Sequence, residues 1–255
     1  LHDALPRSEE RRVGKECNPH TGIHAIRDFS LQINKGEKIA IVGKTGSGKS
    51  TIAQLMLRMY DINEGLIAYD GIPVNKIDLE TLRSRISYVP QDVFLFSDSI
   101  SNNIRFGKND ATTEQVYKAA KQASIYEEIN RFPEGFETMV GERGVTLSGG
   151  QKQRISIARA LVREPGIVIF DDCLSAVDGK TEQEILSSLN TYLAGRTAVI
   201  ITHRIFSLLQ FDKIVVMNEG RIVEMGTHSE LLAINGLYTS MYNRQQEQDK
   251  KPGES

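Results

Sequence analysis

Residues 43–50 have the types and the spacing needed to hold the phosphates of a nucleotide. Their sequence, GKTGSGKS, fits the pattern GxxxxGK followed by Ser or Thr, in which glycines let backbone N–H groups come close to phosphate oxygens. In that pattern the ammonium of Lys49 reaches the β- and γ-phosphates of ATP, and the hydroxyl of Ser50 holds Mg²⁺. The pattern predicts a site for Mg·ATP, although alone it fits many kinds of NTPase.

The residues on both sides of this loop predict the elements that would position it. Residues 38–42 are a short run rich in β-forming residues that enters the loop, and residues 51–58 favour a helix that leaves it. Such a strand–loop–helix order places a bound phosphate at the N-terminus of a helix, where backbone N–H groups and the helix dipole favour an anion. The context supports the phosphate-loop interpretation.

A second glycine-rich motif, LSGGQ at residues 147–151, lies about a hundred residues after the first. With both motifs the chain resembles the nucleotide-binding domain of ABC transporters. In that family the LSGGQ of one subunit closes over ATP held by another subunit, so the resemblance implies a dimer. The alternative, two unrelated glycine-rich turns, is disfavoured by the further motifs that follow in the same order.

The resemblance implies a set of nucleotide-contacting residues. The expected ATP contacts within one subunit are Gly43, Lys44, Thr45, Gly46, Ser47, Gly48, Lys49, Ser50 and Thr51. The expected contacts with the ATP of the partner are Ser148, Gly149, Gly150 and Gln151. The expected catalytic residues are Lys49, Gln91, Asp172 and His203, and the expected Mg²⁺ ligands are Ser50, Gln91 and Asp171. Asp178, in the run SAVD, matches the D-loop that links the two ATP sites across the dimer interface.

An apolar run at residues 167–170 ends in two adjacent carboxylates, Asp171 and Asp172. In phosphate-loop enzymes the first carboxylate lies near Mg²⁺. The family usually has Glu at the second position, where it polarises the attacking water, and Asp is one methylene shorter. Because misplacing a catalytic group by about 1 Å can cost on the order of 10²-fold, we expect intact phosphate binding and slow hydrolysis. The plain alternative is a strand that ends in a helix-capping Asp.

Two further polar residues acquire a role from the resemblance. Gln91, in the run YVPQD, matches the Q-loop glutamine, which contacts Mg²⁺ and the attacking water and senses the transport domain. His203, in the run ITHR, follows an apolar strand and matches the switch histidine, which contacts the γ-phosphate. Without the resemblance, a Gln after Pro indicates a turn, and a lone His is more often structural than catalytic.

Two features indicate the exporter type of ABC protein. Residues 140–144 (VGERG), with Glu142 at their centre, resemble the x-loop that touches coupling helices of the transmembrane domain. Residues 94–100 (FLFSDSI) are also similar to exporters. The expected partners are a second nucleotide-binding domain and transmembrane coupling helices at the Gln91 and Glu142 regions. The combination of Asp172 with LSGGQ resembles one subunit of bacterial heterodimeric multidrug-type exporters, although a homodimer is also compatible.

Composition limits the other classes of function. The 255 residues suit one α/β domain with a helical insertion, which is long enough to bury a substantial core. With 31 basic and 33 acidic residues the formal charge is -2, which argues against nucleic acid as the main partner. Cys17 and Cys173 provide neither a disulfide framework nor a metal quartet. No apolar run approaches the roughly 20 residues that span a bilayer. The resemblance to a transporter subunit therefore implies a separate membrane part, with this domain on its cytoplasmic face.

Both ends of the chain have unusual composition. Residues 1–17 carry many charges, show no period of 2 or 3.6, and resemble translated sequencing adapter. A genuine charged linker from a membrane domain is the alternative. Asn18 stands where exporters usually have a Tyr that stacks on adenine. The loss of this aromatic is either real or an artefact of the junction with residues 1–17, and His20 could stack only weakly as a substitute. Residues 246–255 are polar and are expected to be disordered.

The pattern along the chain predicts an α/β fold with the P-loop NTPase core of an ABC ATPase. We expect a mixed sheet, an N-terminal antiparallel β portion that is truncated, and a helical subdomain at about residues 98–163, all within residues 18–245. Short strands are predicted at 65–69, 86–89, 167–170 and 198–201, a hairpin at 213–225, and helix-capping boxes at Thr112 and Thr227.

The expected function is that of an ATP-binding and ATP-hydrolysing domain that drives export across a membrane. One rival is a soluble ABC ATPase of translation or DNA maintenance. Such proteins usually carry two nucleotide domains or a long coiled-coil insertion, and this sequence has neither. A second rival is an ATP-gated regulatory domain in which Asp172 abolishes turnover.

Overall fold

The computed structural model describes residues 12–13, 16–17, 24–141, 144–173, 179–205 and 211–249. The strands are β1 (Arg12–Val13), β2 (Glu16–Cys17), β3 (His24–Ile26), β4 (Phe29–Ser30), β5 (Lys38–Gly43), β6 (Ala68–Tyr69), β7 (Ile72–Pro73), β8 (Ile86–Val89), β9 (Ile167–Asp171), β10 (Thr197–Ile201), β11 (Lys213–Asn218) and β12 (Arg221–Gly226). The helices are α1 (Lys49–Met56), α2 (Leu79–Arg85), α3 (Ile100–Arg105), α4 (Thr113–Gln122), α5 (Tyr126–Ile129), α6 (Gly149–Leu161), α7 (Gly179–Tyr192), α8 (His228–Ile234) and α9 (Leu237–Asp249).

The chain forms two compact units. The first unit comprises Leu1–Ser84 and Thr197–Ser255, and the second comprises Arg85–Arg196. None of the helices in the described ranges combines the length and the apolar character needed to cross a membrane.

The first unit contains a mixed sheet in the order β12-β11-β5-β10. Strand β5 pairs in parallel with β10 and with β11, and β11 pairs antiparallel with β12. All residues of β10 and five of the six in β5 are buried, as expected for central parallel strands, which are covered on both faces. The predicted strands at 38–42 and 198–201 and the predicted hairpin at 213–225 are therefore confirmed.

An apolar core on this sheet joins it to the two C-terminal helices. Buried side chains of β5 and β11 pack with Leu231 of α8 and with Tyr238 of α9, whose side chain is fully buried. The predicted capping box of α8 is present, since the Thr227 hydroxyl accepts from the Glu230 amide and the Glu230 side chain accepts from the Thr227 amide. Helix α9 continues to Asp249, so the prediction of a disordered tail from residue 246 is wrong for residues 246–249. Polar residues can extend a helix whose first turns are anchored by packing.

The short strands at the N-terminus pair antiparallel, β1 with β4 and β2 with β3. Four residues of the segment 1–17 therefore belong to paired strands, although we expected this segment to lie outside the fold. Backbone N–H and C=O groups of any sequence can form such pairs, so the absence of an apolar period carried no information about them. The foreign origin of residues 1–17 stays a prediction.

The second unit combines a parallel strand pair with helices. Strands β8 and β9 pair in parallel, with Val89 opposite Phe170. Helix α6 packs against α3, α4 and β8, and the helices α3 to α6 occupy the range predicted to be helical, about residues 98–163. The predicted capping box of α4 is present. Of the predicted strand at 65–69 in the first unit, only β6 forms, since Gly65 has a left-handed backbone with φ 91°.

Candidate functional site

The predicted phosphate loop joins β5 to α1 in the first unit. The Lys49 ammonium donates hydrogen bonds to the carbonyl oxygens of Gly43 and Lys44, each at 2.9 Å, so the side chain lies within the curve of its own loop. Gly48 has φ 93°, and a Cβ at this position would lie 2.7 Å from the carbonyl oxygen of Ala25. Both the left-handed backbone and the close approach require glycine here.

The N-terminus of α1 is open in a way that suits an anion. Its N-cap residue is Gly48, which has no side chain to bond the first amides, and its first turn carries no acidic residue. Those N–H groups have no intrahelical acceptor, and they favour negative charge together with the helix dipole. The Ser47 hydroxyl oxygen is buried without a hydrogen-bond partner among the described residues. The loop therefore fits a phosphate group.

His203 lies at the same sheet edge as the phosphate loop. Ile201, the last residue of β10, is opposite Ile41 of β5, and the Thr202 amide donates to the Ile41 carbonyl at 3.2 Å. The carboxyl ends of parallel strands meet at one edge of a sheet, where ligands of α/β proteins bind. His203 follows β10 and the phosphate loop follows β5. Because these two strands are neighbours in the sheet, both segments begin at the same edge.

In the second unit, Asp171 ends β9 and is buried, with only 3% of its surface exposed. The Tyr88 hydroxyl of the neighbouring strand β8 donates a hydrogen bond to the Asp171 carboxylate at 3.0 Å. Burial raises the pKa of Tyr88, as does the adjacent negative charge of Asp171, so the phenol keeps the proton that it donates. Tyr88 was not predicted as part of the site, because no motif in the sequence links it to Asp171.

Asp172 adopts a left-handed backbone, with φ 48°. This conformation is uncommon for residues with a Cβ, and short polar side chains such as Asp adopt it most readily. The Gln91 amide nitrogen lies 3.5 Å from a carboxylate oxygen of Asp172, a weak hydrogen bond. Gln91 follows β8 and Asp172 follows β9, so the parallel strand pair brings these two predicted catalytic residues together.

The signature motif closes the N-terminus of α6 with its own side chains. The Ser148 hydroxyl oxygen accepts from the Gln151 amide at 3.2 Å, and the Gln151 side-chain oxygen accepts from the Ser148 amide at 2.9 Å. This reciprocal capping box satisfies amides that would otherwise lack an acceptor. It uses a lone pair of the Ser148 oxygen, and the hydroxyl proton can still be donated to an anion.

A partly buried ion pair anchors this helix start. The Glu128 carboxylate accepts from the Gln151 side-chain amide at 3.3 Å and from the Arg154 guanidinium at 2.9 Å, and Arg154 is only 7% exposed. Burial of Glu128 acts to raise its carboxyl pKa, but the hydrogen bond and charge of Arg154 outweigh burial, so the pKa lies below the ordinary 4.5. Glu128 was not predicted, because no local pattern links α5 to α6.

Several predicted features lie outside the described residues. They are the adenine-side residues around Asn18, the x-loop residues Glu142 and Arg143, and the D-loop residues 174–178 with Asp178. Their predicted roles stay predictions. Cys173 is free and buried, and burial raises the pKa of its thiol.

Residues 26–175 match the protein-family model described as ABC transporter. The chain therefore belongs to the ABC transporter family. Members of this family bind ATP and act as ATPases.

Individual relatives show which members of the family the chain is similar to. The probable multidrug resistance ABC transporter ATP-binding/permease protein YheI of Bacillus subtilis is 50% identical over 221 residues, which cover 87% of this chain and 38% of that protein. The ATP-dependent lipid A-core flippase of Legionella pneumophila is 45% identical over 225 residues, covering 88% and 38%. A solved structure of a bacterial Atm1-family ABC exporter with ATP bound has a TM-score of 0.90 at 41% identity, covering 95% of this chain and 43% of that chain.

These comparisons confirm two predictions. The chain is similar to the nucleotide-binding domain of ABC exporters, and it has the ABC ATPase fold with a mixed sheet. The chain spans less than half the length of the relatives described above.

Proposed function

We propose that this protein is the ATP-hydrolysing domain of an ABC exporter, and that its ATP-driven dimerisation powers export of a substrate across the membrane. The observation that carries the proposal is a loop of the right pattern that leads into α1 through a glycine N-cap, with the Lys49 ammonium bonded to carbonyl oxygens of that loop. The relatives are ABC exporters, which favours export over a role in translation or DNA maintenance.

In the first unit, three residues have proposed roles toward Mg·ATP. Lys49 exchanges its two carbonyl acceptors for phosphate oxygens, which are stronger partners for an ammonium group. The Ser50 hydroxyl binds Mg²⁺, whose positive charge neutralises the phosphates. His203 contacts the γ-phosphate from its position after β10.

In the second unit, Asp171 and Gln91 provide the oxygen ligands that Mg²⁺ prefers, and Asp172 orients the attacking water. Tyr88 fixes one oxygen of Asp171 by its hydrogen bond. Because Asp172 is shorter than Glu, we propose that this chain hydrolyses the ATP in its own phosphate loop slowly.

We further propose that LSGGQ acts on the ATP of a partner domain. A partner with Glu at the position of Asp172 would give two unequal sites, and this chain would supply the signature to the faster one, with Asp178 linking the two. A homodimer would have two slow sites. Dimer closure and reopening then drive alternating access in a transmembrane domain, with this domain at its cytoplasmic face.

Exposed aromatic residues next to the Q-loop support docking of transmembrane coupling helices. Phe94 is 67% exposed and lies edge-on to Phe96, with ring centroids 5.2 Å apart. The Arg159 guanidinium donates to the Phe94 carbonyl at 2.9 Å and faces the Phe96 ring, so the pair is held in place although exposed. Large apolar side chains held at a surface are typical of protein interaction sites. We propose that the Gln91 and Glu142 regions dock coupling helices here.

The alternative of an ATP-gated regulatory domain is favoured only by Asp172. A hydrolysis assay separates the two functions. The wild-type chain with Mg·ATP is expected to hydrolyse slowly, at a rate per molecule that rises with protein concentration because the signature must come from a second copy. ATP binding without any single-turnover hydrolysis, at every concentration, would favour the regulatory function.

The variant Asp172→Glu sharpens this assay. We expect roughly tenfold faster turnover, because the longer side chain restores the reach of the carboxylate. The left-handed backbone of Asp172 opposes part of this gain, so the melting temperature is measured in parallel. A flat or lower rate in a stable variant would show that the length of Asp172 does not limit hydrolysis.

A further inference from the structure

The segment after β10, residues 202–205, is held by hydrogen bonds from three directions. The Thr202 amide donates to the Ile41 carbonyl of β5 at 3.2 Å. The Arg204 amide donates to the Thr202 hydroxyl oxygen at 3.0 Å, which forms a local turn around His203. The Ile205 amide donates to the side-chain oxygen of Gln245 at 2.7 Å. The last bond ties this segment to α9, 40 residues further along the chain.

Helix α9 is itself fixed at its start. The Glu224 carboxylate of β12 accepts from the amides of Leu237 and Tyr238 at 2.5 and 3.0 Å, so it caps the first turn with negative charge. The Tyr238 hydroxyl also lies 2.7 Å from the His228 ring nitrogen. Two attachments at its first turn give the helix a defined position on the sheet.

The side chains of Ile205 and Tyr238 belong to the same core. Ile205 is fully buried and packs in the cluster formed by β5, β11, α8 and α9, which includes Val42 and Val216. The Ile205 amide is thus bonded to α9, and its side chain packs in a core that α8 and α9 share with the sheet. A displacement of α9 would therefore be transmitted to the segment that carries His203.

We propose that Gln245 is a positioning residue for His203. Its side-chain oxygen fixes the Ile205 amide, and the turn made by Thr202 and Arg204 then holds the intervening His203 backbone at the sheet edge. The inference rests on the proposed role of His203 toward the γ-phosphate. Gln245 does not touch the nucleotide in this account, and it acts only through the backbone of residues 202–205.

The neighbouring residue Gln246 is a matched control. Its side chain donates to the Tyr242 hydroxyl of the same helix at 3.0 Å. It has the same chemistry and is half-buried like Gln245. Substitutions at Gln246 test the cost of altering α9 itself.

The first measurement is hydrogen exchange of the Ile205 amide in the full chain, followed by NMR without nucleotide. Gln245→Leu keeps a similar volume but removes the acceptor. We expect Ile205 protection to fall roughly tenfold, the equivalent of one lost hydrogen bond. Gln245→Glu keeps an acceptor oxygen, so it and Gln246→Leu should retain protection near that of the wild type. Equal protection in all four proteins would overturn the link.

The second measurement is ATP hydrolysis by the same proteins. Gln245→Leu is expected to lower kcat roughly fivefold and leave ATP affinity unchanged, since a small displacement of a catalytic group affects the chemical step. Gln245→Glu should restore kcat, and Gln246→Leu should resemble the wild type. An active wild type with unchanged kcat in Gln245→Leu would overturn this inference alone. A wild type that neither binds nor hydrolyses ATP would overturn the proposed function as well.

Discussion

Two glycine-rich turns in this chain each lead into a helix, and they treat the N-terminus of that helix in opposite ways. In the phosphate loop, the N-cap residue Gly48 has no side chain and makes no side-chain cap to α1. In the signature motif, Ser148 and Gln151 satisfy backbone amides at the start of α6 with a capping box. The first turn presents backbone amides to an anion, and the second caps its own helix with side chains.

The difference agrees with different tasks. A phosphate bound at the N-terminus of α1 accepts hydrogen bonds from backbone amides and is favoured by the helix dipole. The start of the signature helix must keep its conformation before it meets the ATP of another subunit. Hydrogen bonds from Gln151 and Arg154 to the Glu128 carboxylate stabilise that conformation. A preformed surface loses little conformational entropy when it closes on its partner.

The largest expected effect is at the phosphate loop. Lys49→Ala removes a charge-assisted hydrogen-bond donor to phosphate, which is worth about 2–3 kcal/mol, and should weaken ATP affinity roughly 50-fold. Lys35→Ala, at an exposed turn of the same unit, is the control for loss of positive charge. Calorimetric titration with Mg·ATP gives both affinities. Equal ATP affinities of Lys49→Ala and Lys35→Ala would show that the phosphate loop does not bind the nucleotide.

A smaller effect is expected at the signature helix. Ser148→Ala deletes the N-cap and should destabilise the fold by about 1 kcal/mol, which lowers the melting temperature by roughly 2–4 °C. ATP affinity at concentrations below dimerisation should stay that of the wild type, because this turn does not contact the chain's own nucleotide. A loss of monomer affinity would contradict the contrast between the two turns.

The smallest effect concerns the ion pair below the signature. The lowered pKa of Glu128 means that its ionised form stabilises the fold above pH 4.5, and that this contribution is lost as the pH falls through its folded-state value. Glu128→Gln should cost about 1 kcal/mol or less at pH 7, because the carboxylate is partly exposed. It should also reduce the loss of stability below pH 4.5. Denaturant unfolding at pH 7 and pH 4 provides the comparison, and identical pH dependence in both proteins would exclude the pair as its source.

The sequence was sufficient where function is encoded locally. The phosphate loop, the strand and helix on its two sides and the hairpin at 213–225 each depend on short stretches of the chain, and their patterns predicted them. Contacts between distant residues were missed. Tyr88 meets Asp171 across 83 positions and Gln245 meets Ile205 across 40, and only the packing of strands and helices brings such pairs together.

Backbone conformation was the second feature that the sequence did not predict. The sequence shows the side-chain length of Asp172 but not its left-handed φ, which follows from how β9 ends. The helix that extends to Asp249 was missed because a polar stretch has no apolar period, and its order depends on the anchored first turns of α9.

The central claim is that the phosphate loop acts on ATP bound to its own chain and that the signature acts on the ATP of another. Mixing two inactive variants tests it most directly. Lys49→Ala keeps the signature, and Ser148→Arg keeps the phosphate loop but blocks the partner's site. Each alone should be nearly inactive. An equal mixture should recover about a quarter of wild-type ATPase activity, since half of the random dimers are mixed and each has one competent site. No recovery, or full activity in either variant alone, would contradict the account.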